Sequence, residues 1–401
     1  MLHIFFQEYP YGFRETFAED ELEFLAEREE KIMIYSYAKN TNIERRLPDN
    51  CELINLFNSK KRKRYFCLSI LQMFKPSTFK EILFFMQDGY HLSFKNINRI
   101  RMYYEAKIHI MSNSFRFSEN DIIYTYWLSE IAYPASLMKK SHPMLRFCSR
   151  AHGFDMYADR GYKPFRREVF YEVDQIHCIN NSGKEDLILH YGHYLKKCKL
   201  FVSHLGVKTH DFLPRAFHND SLVLVTCSNI IALKRLDILV KALSKLEIPI
   251  KWYHFGSGEL YNDIIELSEK LLGKNVKYFF MGQTNHDELL QFYQNEQIDL
   301  FINSSDYEGV PVSIMEAMSY GIPCIARNVG GISELLNNSV GYLLDKAATE
   351  IQFCEAIAAF HSLPDCKKQE LSRNAYMKIK QDFDMENNYM MFYDRLKEKG
   401  K

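Results

Sequence analysis

Apolar and polar positions along this chain follow two rhythms. Short runs rich in Ile, Val, Leu, Phe and Tyr alternate with longer stretches in which apolar residues recur every three or four positions, the spacing of a helix face. In the first half the runs that predict strands are LHIFFQ (2–7), KIMIYSY (31–37), DIIYTYW (121–127), PMLRFCS (143–149), DQIHCI (174–179) and KLFVSHL (199–205). In the second half they are LVLVTCS (222–228), IKWYHFG (250–256), VKYFFMG (276–282), IDLFINS (298–304) and IPCIARN (322–328). The second series is the cleaner, each run passing through a turn residue into an amphipathic stretch such as LDILVKALSKL (236–246). This alternation predicts an α/β chain built on parallel sheets.

Between the two series, GVKTHDFLPRAFHNDS (206–221) is polar and carries Gly and Pro, so it reads as an interdomain linker. Two Rossmann-like domains are expected, residues 1–210 and 211–383, with the ligand site in the cleft between them at the carboxyl ends of the strands. Residues 51–115 fit neither rhythm well and are expected to form several helices inserted into the first domain. No tandem repeat or low-complexity tract is present.

Composition narrows the function classes. With 401 residues, 47% apolar and 25% charged, the chain can bury sizeable cores. Fifty-one basic residues balance fifty-one acidic ones, which gives no overall reason to expect a nucleic-acid partner. Nine cysteines are scattered and never spaced C-x-x-C. That suits a reducing cytosol and argues against a disulfide framework or a zinc site. The opening MLHIFFQEYPYGF lacks a basic leader, and no uncharged apolar stretch approaches the roughly 18 residues of a membrane span. The expectation is a cytoplasmic protein, at most peripheral at the inner face of a membrane. One segment departs from the neutral balance: SKKRKRYFCLSILQMFK (59–75) sets five consecutive basic residues beside an aromatic and aliphatic run. It can be read as a solvated helix face, as a patch for anionic lipid, or as a nuclear-localisation or nucleic-acid patch. The DFD of residues 382–384 has the look of a metal-binding D-x-D, but Asp384 stands where a helix N-cap would, and no metal is expected.

Candidate chemistry gathers in SSDYEGVPVSIMEAMSYGIP (304–323), where Glu308 and Glu316 stand with seven residues between them. A helix is predicted to begin near Pro311–Val312, since proline suits the first helical turn. The N–H groups of Val312, Ser313 and Ile314, with those of the Gly309–Val310 turn, would then form an anion site. Glu316, one turn into that helix, could accept two adjacent hydroxyls such as those of a ribose. Acids are also common near helix starts for dipole reasons alone. Upstream, Lys234 in NIIALKRLDILVKAL precedes another helix and could meet a diphosphate as a point charge, although such lysines are usually solvated. HFGSGEL (254–260) and FMG (280–282) place Gly256, Gly258 and Gly282 in loops of successive strands, which emerge on one edge of a sheet.

These second-half motifs, together with NVGGISELL and NSVGYLL, resemble the donor domain of retaining GT-B glycosyltransferases, family 4 (group 1), over about residues 221–345. In the first half, SRAHGFDMYADRGYKPFRREVFYEVDQIHCINNSGKEDLI (149–188) is similar to the histidine-bearing segment of bacterial surface-polysaccharide members, and YPYGFRETFAEDEL (9–22) resembles their opening loop. The resemblance implies two Rossmann-like domains facing across a cleft and a terminal helix, 384–401, that crosses back to the first. It implies transfer of a sugar from a nucleoside-diphosphate sugar, uridine by default, to a glycan or lipid-linked acceptor, without a cofactor or metal. Glu316 would bind the ribose. Glu308 and the amides of Gly309, Val310 and Val312 would hold the sugar and distal phosphate. Lys234 would stabilise the departing diphosphate, and His152, flanked by Arg150 and Asp155, would close over the sugar. Two positions depart from the family. Asn229 stands where an arginine is usual, leaving more to Lys234 and Arg235. The first loop reads Gly12-Phe13-Arg14-Glu15 in place of a paired-glycine turn, and Arg14 could supply the missing charge at the donor phosphate. Within the same fold a non-hydrolysing sugar-nucleotide epimerase is an alternative; a non-catalytic membrane- or nucleic-acid-binding protein using KKRKR is another.

Overall fold

The structure, a computed structural model, describes residues 1–12, 15–42, 45–217 and 221–398. They divide into two units, Met1–Ser203 with the segment from Tyr389, and His204–Asn388.

The first unit is built on seven strands: β1 (Leu2–Phe6), β2 (Ile32–Ser36), β3 (Cys51–Asn55), β4 (Ile122–Thr125), β5 (Arg146–Ala151), β6 (Gln175–Cys178) and β7 (Lys199–Val202). Every pairing is parallel, in the order β3-β2-β1-β4-β5-β6-β7. Parallel strands need crossovers that cover both faces of the sheet, so the central strands are buried without alternation. β1 and β4 are buried at every position.

One edge strand of this sheet escapes the sequence reading. Residues 51–55, assigned above to a helical insertion, form β3, in register with β2 from Ile32↔Cys51 to Ser36↔Asn55. On the sheet edge β3 is only half-buried, and CELIN therefore lacks the continuous apolar run of the inner strands. The helices come after it: Arg62–Gln72, Pro76–Gln87 and Phe94–Met111. The run read at 143–149 also shifts, to Arg146–Ala151, because a turn closed by Leu145 N–H on the His142 carbonyl (3.0 Å) occupies its first residues.

The second unit has six parallel strands: β8 (Leu222–Cys227), β9 (Ile250–Phe255), β10 (Val276–Gly282), β11 (Leu300–Asn303), β12 (Cys324–Arg327) and β13 (Gly341–Leu344). Their order is β10-β9-β8-β11-β12-β13. The chain runs outward from β8 to β10, then restarts on the other side of β8 with β11. Loops leaving the neighbours β8 and β11 therefore diverge, and that gap is where open α/β sheets take ligands. The core joins Trp252, Leu224, Leu300, Ile302 and Ile325 of the sheet to Leu239 and Leu243 of one helix and Phe353 and Phe360 of another. Helix Leu236–Leu243 buries six of its eight residues and leaves Asp237 and Lys241 outside, as its periodicity predicts.

The polar segment from Gly206 is fastened to this unit. Val207 bridges to Asp384, Tyr376 donates to the His210 carbonyl (2.6 Å), and Arg215 donates to the Tyr293 carbonyl (2.8 Å). Asp384 accepts from the N–H of Asn387 (3.2 Å) at the start of helix Met385–Lys397, the capping geometry expected of it. Further along this helix, Phe392 and Leu396 pack into the core of the first unit.

Helix Pro76–Gln87 is tied to the first unit through Glu81, which is buried and accepts from the N–H of Phe165 (2.7 Å) and from the Tyr162 hydroxyl. Burial pushes its carboxyl from an ordinary 4.5 up to about 7. The folded chain thus keeps a proton that the unfolded chain has released. Glu81's favourable contribution is complete below pH 4.5 and fades as pH rises through 7. Urea titrations of the whole chain should show stability falling by up to about 3 kcal/mol over this range. Glu81→Gln should flatten that slope; a variant with the slope of the parent would show that another group carries it.

Candidate functional site

The loops after β8 and β11 carry Lys234 and Glu308, 74 residues apart in the sequence. After Cys227 the chain loops through Asn229 and makes a tight turn, Ala232–Lys234, closed by Lys234 N–H on the Ile231 carbonyl (3.0 Å). After Asn303 it runs through Ser304–Glu308. The loops are stitched together: the Ser304 hydroxyl donates to the Lys234 carbonyl (2.9 Å) and the Asp306 N–H to the Leu233 carbonyl (2.9 Å). Lys234 Nζ consequently lies 2.6 Å from Glu308 Oε1, with their side chains 21% and 10% exposed. The same oxygen accepts from Asn303 Nδ2 (3.0 Å) and the Ser305 hydroxyl (2.6 Å). Three donors on one oxygen fix the carboxylate, and a charge-assisted bond this short holds the ammonium beside it.

The next helix, Val312–Ser319, starts where Pro311 predicted, and no side chain caps it. Its first N–H groups, those of Val312 and Ser313, belong to the set that no helix can satisfy internally. Val310 is buried. Glu316, also nearly buried, meets His286 Nε2 at 2.6 Å. His286 is 56% exposed and opens helix His286–Asn295, beyond β10. The sequence reading does not single it out; its one signal is its place just after the Gly282 loop, on the edge shared by the other loops. Cys227, at the end of β8, links the two pairs. Its thiol is pushed up to about 12, by burial first and then by the charge of Glu316, against the opposing charge of Lys234. Both charges therefore bear on one spot at the end of the strand.

The glycines have a packing role of their own. Gly256, at φ 132°, lies so close to the neighbouring loop that a Cβ would come within 2.0 Å of the Ser228 carbonyl oxygen. A Cβ on Gly258 would come within 2.4 Å of the Ile230 carbonyl. These two positions are required by one loop packing on the next. Gly282 accepts the Gly256 N–H (2.8 Å) in the same stack. Gly330, at φ 56°, supports the site from the other side: a Cβ there would fall 1.7 Å from the Glu308 carbonyl oxygen. The Gly309 carbonyl accepts the Gly331 N–H (2.6 Å) beside it.

Arg235 does not join Lys234 in the Glu308 cluster. It sits in the left-handed region at φ 50°, and its guanidinium is engaged by Asp237 (3.0 Å) and Asp306 (3.2 Å). Arg327 shares Asp306 with it. The side chain of Asn229 is exposed in the β8 loop.

In the first unit, His152 lies at the end of β5, buried among Phe17, Tyr126 and Trp127 with ring centroids 4.6 to 5.2 Å away. Burial, helped by the charge of Arg150, holds it well below the usual histidine range, so it is neutral. Its Nε2 is buried with no hydrogen-bond partner among the described residues. The flanking residues are engaged elsewhere. Arg150 pairs with Glu21 (2.9 Å) and donates to the Tyr124 hydroxyl and the Ser203 carbonyl, while Asp155 accepts from the Leu128 N–H (3.0 Å). The loop after β1 holds a residue that the sequence reading passes over. Glu15 is buried and accepts from three successive N–H groups, those of Gln7 (3.2 Å), Glu8 (2.6 Å) and Tyr9 (2.5 Å), and from the Trp127 indole. An amide nest of this kind suits an anion, and the chain's own carboxylate fills it. Gly12 lies beyond it at φ 68°; Arg14, the residue expected at the donor phosphate, falls outside the described residues.

Comparison with known proteins places this geometry in a lineage. Residues 208–378 match the profile of the family described as Glycosyl transferases group 1. The N-acetyl-alpha-D-glucosaminyl L-malate synthase of Bacillus anthracis is 31% identical over 155 residues, 38% of each chain. The O-antigen biosynthesis glycosyltransferase WbnH of Escherichia coli is 28% identical over 186 residues, 43% of this chain and 50% of the relative. This chain thus spans half or less of the length of these two curated relatives. Among solved structures, a point mutant of Staphylococcus aureus TarM, in complex with fondaparinux, alpha-GlcNAc-glycerol and UDP, superposes with a TM-score of 0.69 over 99% of both chains at 13% identity, a likeness of fold. The fold is the two-domain α/β GT-B type, and residues 208–378 are similar to the group 1 glycosyl transferases.

Proposed function

We propose that this chain transfers a glycosyl group from a nucleoside-diphosphate sugar, with uridine as the nucleoside, to a glycan or lipid-linked glycan in surface-polysaccharide assembly, with retention of configuration and in the cytoplasm. The observation that carries the reading is the Lys234–Glu308 pair at the point where the second sheet reverses its strand order. Without ligand, one carboxylate satisfies the ammonium. A diphosphate brings more negative charge than that carboxylate and would draw Lys234 to itself. At about 4 Å and an effective dielectric near 20, a unit charge pair is worth roughly 4 kcal/mol, and this attraction grows as the glycosidic bond breaks. The open N–H groups of Val312 and Ser313 add to it. In this reading the chain itself neutralises the leaving group, so no metal is invoked.

Glu316 would exchange His286 for the two ribose hydroxyls. Neutral His152, with an unpartnered Nε2, is suited to a hydrogen bond with a sugar hydroxyl. Among the relatives, the O-antigen enzyme supports the polysaccharide setting, and the UDP in the TarM crystal supports the choice of base. No observation favours the epimerase or the purely non-catalytic alternative.

Lys234→Ala and Glu308→Ala should each lower release of nucleoside diphosphate from a panel of sugar nucleotides at least about a hundredfold, roughly 3 kcal/mol, with circular dichroism unchanged. Full turnover in both variants would remove the assignment. Glu316→Ala should weaken UDP binding in calorimetry, and His286→Ala should leave it equal or tighter, since it frees the carboxylate. UDP affinity untouched by the loss of Glu316 would refute its ribose role.

A further inference from the structure

The helical segment 59–111 of the first unit is amphipathic in the reverse sense. Helix Pro76–Gln87 buries Thr78, Glu81 and Phe85. Its opposite face carries Phe79, Leu83 and Met86, spaced four and three residues apart, each more than half exposed. Such a stripe normally faces a core. Here the polar side has the interior partners: Thr78 Oγ1 donates to the Gln72 carbonyl (2.9 Å) and meets the Tyr104 hydroxyl (2.9 Å), and Glu81 is held by Tyr162 and Phe165. The preceding helix, Arg62–Gln72, buries only Tyr65 and Ser69. It leaves Leu71 exposed, and Phe74 just beyond it is 73% exposed. Phe94, which opens the third helix, is 86% exposed.

Charge on the segment is as one-sided as its polarity is inverted. Residues 59–111 contain eleven Lys and Arg and three Asp and Glu, a net of 11 − 3 = +8, within a chain whose total is zero. All three acids have partners: Glu81 in the interior, Asp88 with Arg167 (2.6 Å) and Glu105 with Arg101 (2.6 Å). Lys60, Lys61, Arg62, Lys63 and Arg64 are all exposed.

We infer that this segment docks on the surface of an anionic lipid bilayer. Its Phe, Leu and Met side chains enter the headgroup–acyl boundary while the basic run lies among the headgroups. Each half of the surface explains the other. Exposed aromatic and aliphatic stripes are costly in water and favourable at an interface, and a cationic surround selects negatively charged lipid. No helix among the described residues is long and apolar enough to cross a membrane, so the attachment is peripheral and reversible. This inference stands on the first unit alone and does not depend on the transfer reading.

The test is co-sedimentation of the whole chain with vesicles of pure phosphatidylcholine and with vesicles containing phosphatidylglycerol, at low and high salt. Binding is expected only to the phosphatidylglycerol vesicles, weakened by salt. Two variants separate the halves: F79S/L83S, and a variant with residues 60–64 changed to Gln. All seven positions are exposed, so both should keep the parent's melting temperature, and each should lose about tenfold or more in partitioning. Equal binding to both vesicle types, no binding to either, or full binding by both variants would overturn the proposal. Concentration-dependent self-association lost in F79S/L83S, without vesicle binding, would instead assign the face to a second copy. Capture by soluble heparin but not by vesicles would also overturn it.

Discussion

The second unit is organised around a charge that has to be held where a sheet cannot cover it. Strand order reverses between β8 and β11, and the two loops that leave there are joined through Ser304 and Asp306. An ammonium placed in that gap is partly withdrawn from water and needs a partner, since an uncompensated charge there would cost several kcal/mol. Glu308 is that partner, and Asn303 and Ser305 hold it in place with a hydrogen bond each. The result is a pair that is complete without ligand yet open enough for a stronger anion to take over one side of it. Around it, the architecture is close backbone packing: the loop after β9 against 228–230, the loop after β12 against 308–309. Each approach is near enough to exclude a side chain, so the geometry of the pair rests on glycine at Gly256, Gly258 and Gly330.

Two adjacent residues show how finely this is set. Lys234 and Arg235 are chemically similar, and nothing in their order says which one faces the gap. The left-handed backbone at Arg235 directs its guanidinium to Asp237 and Asp306, and Arg327 closes that second network. Both networks draw on the Ser304–Glu308 loop, one through Glu308 and the other through Asp306.

What could be read in the sequence follows only in part from burial. Strands covered on both faces, such as β1 and β11, are continuous apolar runs and were legible; of the half-exposed edge strands, β7 and β10 were legible too, while β3 and β13 were not. The helix start at Pro311 was legible because proline is local chemistry. His286 left no pattern because its partner Glu316 lies thirty residues on, and Glu15 left none because most of its donors are backbone N–H groups, which any sequence supplies. Gly256 and Gly258 were visible as a motif, but the motif could not say whether a phosphate or another loop demanded them.

The insertion shows the limit from the other direction. Positions 79, 83 and 86 make a stripe that periodicity alone assigns to a core, and positions 78 and 81 would then face water. The assignment inverts because Tyr104 and Tyr162 present hydroxyls to Thr78 and Glu81. A buried polar face is tolerable only when its groups are bonded, and an exposed apolar face persists only when something other than water meets it. The first condition is met within the chain. The second, beside a run of five exposed positive residues, calls for a surface that is both greasy and negative, which is the chemistry of a lipid headgroup layer rather than of another folded core.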